Sequence, residues 1–159
     1  MQAKINELIF GPDQNIEKFV IDNIDSAKQE IKMMVFWFTW KPIADALNRA
    51  SERGVKISII LDSRSAEHKK KDVCKLNEVL VPDILSDKIE TKIYNGELLH
   101  HKIILIDKNI ILTGTCNFFN GSLKRHEEHY MKITSEQLHT KFSQRFLFLK
   151  NNSKYWNKK

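Results

Sequence analysis

The sequence predicts an α/β protein, on three observations. Met33 to Phe38, MMVFWF, is a continuous apolar run suited to a central strand buried on both faces. A helical pattern and a second apolar run follow it, so that IKMMVFWFTWKPIADALNRASERGVKISIILDS reads as a β-α-β crossover. Two short β-branched runs, Ile103 to Ile106 and Ile110 to Leu112, flank Lys108-Asn109 as a turn and read as adjacent buried strands, a hairpin being one arrangement.

The elements follow in order. A short start around Ile5 to Phe10 ends at the turn Gly11-Pro12-Asp13. Ile16, Phe19, Val20, Ile24 and Ala27 recur at helical spacing and give an amphipathic helix. In the apolar run after it, Trp37 reads as core, while Trp40 at its end is either core or a base-stacking aromatic. Pro42 suits a first helical turn. Ile43, Ala46, Leu47 and Ala50 line one face of that helix, and Gly54 ends it. Val55 to Leu61 is a strand closing at Asp62. The stretch after it carries Glu67-His68-Lys69-Lys70-Lys71. Three lysines in a row usually form a solvated face, but here they follow a parallel strand's end, where ligand-binding loops lie. Lys69, Lys70, Lys71 and Trp40 are therefore candidate nucleic-acid contacts. Val73, Leu76, Val79 and Leu80 suggest a helix halted before Pro82. Ile89 to Tyr94 alternates as a half-exposed strand, and Asn95-Gly96 turns the chain. Phe118 to Lys124 reads as a loop and Tyr130 to Ile133 as a last strand. Thr134 and Gln137 read as a capping box, with Ile133 and Leu138 as its hydrophobic staple. Leu138, Phe142, Phe146 and Leu149 line the final helix. Residues 150–159 form a polar basic tail whose Tyr155 and Trp156 could frame nucleic acid, although a frayed terminus is the ordinary reading.

The 159 residues suit one domain, 1–159, with a core of ordinary size. Hydrophobic residues at 42%, with five Gly and three Pro, exclude a disordered chain. Lys+Arg of 26 against Asp+Glu of 20 gives a net charge of +6, which suits an anionic partner: nucleic acid or an acidic membrane surface. Moderate basicity also decorates ordinary solvated surfaces, so composition does not decide. The two cysteines, Cys74 and Cys116, cannot supply a four-thiolate zinc site, and neither lies in a CxxC. They read as reduced thiols of an intracellular protein. No signal peptide or transmembrane window is evident, so a cytoplasmic protein is expected and a membrane partner is not.

One stretch carries chemistry: HHKIILIDKNIILTGTCN, His100 to Asn117. It holds His100-x-Lys102, then Asp107, then Gly114-Thr115-x-Asn117. On a strand, His100 and Lys102 share a face and His101 points the other way. A neutral imidazole beside an ammonium suits attack on an anionic phosphorus, with the lysine offsetting charge on the oxygens. Asn117 would add an amide donor and Thr115 a hydroxyl, and Gly114 permits close backbone approach or a positive φ. Asp107, before a turn and facing away, is expected to orient structure. Taken singly, each has an unremarkable surface role. The joint pattern arises by chance only on the order of 10⁻⁸ to 10⁻⁷ per start position.

This spacing, HxKxxxxD followed by six residues and G-[ST]-x-N, resembles the HKD signature of the phospholipase D superfamily. Phe38-Thr39 and the "RGVKI" strand resemble its N-terminal part, so the resemblance covers most of residues 14–134. It implies a mixed central β-sheet flanked by helices on both faces, which the β-α-β unit supports. It implies a phosphodiesterase working through a phosphohistidine, with no cofactor and no obligate metal. It implies that a chain with one signature pairs with a second copy as a homodimer. One His100 would then attack while the other protonates the leaving oxygen from the opposite side. It also implies that Glu128, eleven residues after Asn117, hydrogen-bonds the catalytic histidine. His101, His126 and His129 match no standard metal-ligand spacing.

Length, single signature and charge bring the chain nearest the small endonucleases of the Nuc type, acting on DNA or RNA. A cardiolipin-type phospholipid hydrolase is the second reading, and a catalytically silent nucleic-acid-binding module the third. The intact His100, Lys102, Asn117 and Glu128 argue against the last.

Overall fold

The computed structural model describes residues 2–66 and 81–157. Its elements are β1 (Lys4–Gly11), α1 (Ile16–Ser26), β2 (Glu30–Val35), α2 (Lys41–Glu52), β3 (Lys56–Asp62), the single turns α3 (Ser63–Ala66) and α4 (Val81–Ile84), β4 (Glu90–Tyr94), β5 (Lys102–Ile106), β6 (Ile110–Gly114), α5 (Asn120–Lys124), β7 (Glu128–Thr134), α6 (Glu136–Asn151) and β8 (Ser153–Tyr155). The strands form one mixed sheet in the order β1-β7-β6-β5-β2-β3-β4-β8. β2, β3 and β4 run parallel, and α2 joins β2 to β3 by the expected crossover. β5 lies antiparallel to β2, and the β5–β6 hairpin is present.

Both faces of the sheet are covered. Along β5 the side chains alternate, Ile104 and Ile106 entering one apolar layer and Ile103 and Leu105 the other. α1 and α2 seal the first layer with Ile16, Val20, Ile24, Ile43, Leu47 and the small Ala44, Ala46 and Ala50. α6 seals the second, its Phe146 and Leu149 packing on Met34, Ile60 and Ile111. Asn15 caps α1 by accepting from the Lys18 N–H at 2.9 Å. Gly54, at φ 89°, supplies the left-handed step after α2.

Several local expectations are corrected. β2 ends at Val35, before the apolar run does. Beyond it the Trp37 carbonyl accepts from Phe118 N–H at 2.9 Å, and Phe38 bridges Phe118, so this end of the run ties to the segment after β6. Trp37 is accordingly half-buried. Residues 120–124 are helical, not loop. Pro82 lies inside α4 and does not precede a stop, while the helix expected over Val73 to Leu80 falls outside the described residues. Ser135, not Thr134, caps α6, accepting from Leu138 N–H at 3.3 Å, because Thr134 is held in β7. The supposed frayed tail instead forms β8, antiparallel to β4. Trp156 follows it, donating from its backbone to the Thr91 carbonyl and from its indole to Asp83, each at 3.0 Å.

Candidate active site

The antiparallel placement of β5 brings its first residue beside the last of β2: Lys102 pairs with Val35. The signature thus opens at the carboxyl ends of β2 and β3, the sheet edge where ligands bind in α/β folds. His100 stands just before β5, exposed, with its ring centroid 5.2 Å from that of Phe36. Lys102 Nζ lies 5.6 Å from the same ring and donates to the His100 carbonyl at 2.9 Å. The Phe36 ring is thus a neighbour of both side chains. His101 faces α6: burial first, then the Arg145 guanidinium, hold its imidazole below the ordinary range. Its backbone carbonyl accepts from Phe36 N–H at 2.9 Å, which ties the two strand ends together.

Lys102 is only 6% exposed. Burial lowers its pKa, and the Glu128 carboxylate offsets this in part. Glu128 Oε1 accepts from Ser122 Oγ at 2.6 Å, and Ser122 Oγ accepts from the Asn117 N–H at 2.9 Å. One hydroxyl thus joins the two signature residues that lie after β6. Asn117 Oδ1 is buried without a partner, so its amide is held inward with hydrogen-bonding capacity left over. Cys116 lies against this network, and burial pushes its thiol up to about 12, leaving it un-ionised. Beneath it the buried Tyr130 hydroxyl donates to the Lys102 carbonyl at 3.0 Å.

Within one chain, Glu128 serves Ser122 and Lys102 and does not hydrogen-bond the His100 ring, which differs from the pairing the resemblance implies. Thr115 sits beside the network, but its hydroxyl accepts from His129 N–H at 3.1 Å. Gly114 is required for close approach, since a methyl group there would strike the His129 carbonyl and Tyr130. Asp107 lies at the far end of β5, away from His100. Its carboxylate accepts from the N–H groups of Gln29 at 2.8 Å and Glu30 at 3.1 Å, at the start of β2.

Trp40 is not a stacking platform: at 4% exposure its ring is core, with Lys124 Nζ 5.9 Å from its centre. Lys69, Lys70 and Lys71 lie outside the described residues. Among the described residues no group of three or more His, Cys, Asp or Glu could hold a metal ion. Nor is any helix long and apolar enough to cross a membrane.

Three contributors were not visible in the sequence. Ser122 and Phe36 are two. Asp62 is another: fully buried, it accepts from Leu99 N–H at 2.9 Å and from Arg64, pinning the chain beside His100. Its position at a strand's end was the only signal.

A family model described as "Cardiolipin synthase, PLD-like domain" matches residues 20–149. The chain belongs to the phospholipase D superfamily. Its relatives include a protein named phospholipase D from Rickettsia conorii, 30% identical over 138 residues that cover 87% of this chain and 66% of that one. The chain thus spans just under two thirds of that relative's length. Among solved structures, the phospholipase D family member Nuc from Salmonella typhimurium superposes with a TM-score of 0.84 at 23% identity, covering 98% of this chain and 99% of that chain. NucT from Helicobacter pylori gives 0.83 at 19% identity, covering 98% and 100%. The fold is that of this family.

Proposed function

We propose that the chain is a nuclease that cleaves phosphodiester bonds in DNA or RNA without an obligate metal, at a site shared by two copies of itself. The observation that carries the chemistry is that His100 and Lys102 both lie against the Phe36 ring, with Lys102 held buried and Glu128 near it. His100 attacks phosphorus, forming the N–P bond as the P–O bond to the leaving oxygen breaks. Lys102 and the Asn117 amide neutralise charge on the non-bridging oxygens. The leaving oxygen takes its proton from the partner copy's imidazole, on the opposite side. Water then hydrolyses the phosphohistidine, with that second imidazole as base. A single chain holds one such histidine, so the second comes from a symmetric partner. The net charge of +6 supports a polyanionic substrate.

A phospholipid is the second reading, favoured by the names of the matching family and of the Rickettsia conorii relative. One assay separates the readings. The protein is incubated with single- and double-stranded DNA, RNA and cardiolipin vesicles, with and without EDTA. Nuclease activity that persists in EDTA and falls by more than about 10⁴-fold in His100→Ala is expected. Turnover of cardiolipin alone would replace nucleic acid with lipid. Salt-sensitive binding without cleavage would make the chain a binding module.

A further inference from the structure

A cavity of about 500 Å³ lies at the opposite end of the sheet, between α6 and the starts of β2 and β3. Lys102 and Asp107 mark the two ends of β5, roughly 17 Å apart at strand rise. We propose that this cavity is a second binding site, for a small molecule carrying a phosphate group.

Three independent features support it. First, His139 lines the wall at 6% exposure, and its buried Nε2 has no hydrogen-bond partner. Its Nδ1 lies 3.5 Å from Ser143 Oγ. A buried polar atom left unpaired is costly, and a ligand would repair it. Second, the lining is cationic. Lys32 pairs with Glu30 and Lys150 with Glu90, whereas Lys56 and Lys108 have no carboxylate partner among the described residues. Asp107, the remaining acid of the lining, is occupied by backbone N–H groups. Two unpaired ammonium groups at the rim suit an anion of high charge density. Third, the lining includes the buried Phe146 and the exposed Leu147, and the volume suits a body of mononucleotide size. Burial first, and then the Lys32 ammonium, hold the His139 imidazole below its ordinary range, while Glu30 and Asp107 oppose this. It therefore meets a ligand uncharged, able to donate or accept.

The test uses the full chain and three probes: inorganic phosphate, adenosine 5′-monophosphate and a short oligonucleotide. Binding is followed by NMR shifts. The expected result is saturable movement of the resonances of Lys56, Lys108, His139 and Thr140. Affinity should fall about tenfold or more in Lys56→Glu/Lys108→Glu, whose exposed positions spare the fold, and also in His139→Gln. Movement of the same resonances by the oligonucleotide but not by the nucleotide assigns the phosphate to a strand. The proposal is overturned if no probe saturates up to roughly 10 mM, if the double variant binds unchanged, or if shifts gather only around His100. The signature is untouched in these variants, so failure here leaves the phosphodiesterase reading intact.

Discussion

Ser122 holds two signature residues with one hydroxyl, accepting from Asn117 and donating to Glu128. Its removal leaves a buried N–H and a carboxylate short of partners, a loss of about 1–3 kcal/mol. If that loss falls on the reacting geometry, kcat drops about 10- to 100-fold. Ser122→Ala should show this with KM nearly unchanged, and Ser122→Thr should restore part of it. A kcat equal to wild type would make the residue purely structural. The signature histidine, lysine and asparagine were legible because their spacing is local. Ser122 was not, because its role exists only once α5 folds back on β7. Trp40 illustrates the reverse: an aromatic at a strand's end looks available until packing buries it. Two other histidines set a pH response. His101 and His139 both have lowered pKa values, mainly by burial. Their folded forms resist protonation, so their stability contribution is full above the ordinary imidazole range and is lost as pH falls through it. The denaturant midpoint should fall between about pH 7 and pH 5, less steeply in His101→Gln/His139→Gln. A slope unchanged in that variant would exclude these groups.

At the scale of elements, the hairpin turn is where the signature aspartate acts. Asp107 adopts φ 54°, a left-handed step that Asp tolerates better than most residues, and its carboxylate ties the β5–β6 turn to the start of β2. Asp107→Ala should lower stability by about 2 kcal/mol in urea denaturation. A change within error would mean that the tie is redundant. The main elements were legible from period and turn residues: the crossover, the hairpin and the long α6. Their edges were not. Thr134 and Ser135 are both competent caps, and only the pairing of β7 decides between them. β8 has no apolar alternation in Ser-Lys-Tyr. Its place comes from the open edge of β4 and from the half-buried Trp156, neither of which a local pattern reveals.

For the whole molecule, the mixed sheet between two apolar layers brings distant segments to one edge, and that edge carries one signature histidine where the proposed in-line transfer uses two. The superfamily was readable from six spaced residues, and the fold followed from it. On the proposed mechanism the site is completed by a second copy, which neither the sequence nor one protomer displays. Mixing wild-type and His100→Ala chains in varying ratio, then measuring cleavage per total protein after exchange, tests this most directly. If both imidazoles act on one phosphorus, activity falls as the square of the wild-type fraction. Activity that instead falls in simple proportion to that fraction would show that each chain cleaves alone, and would contradict the shared site.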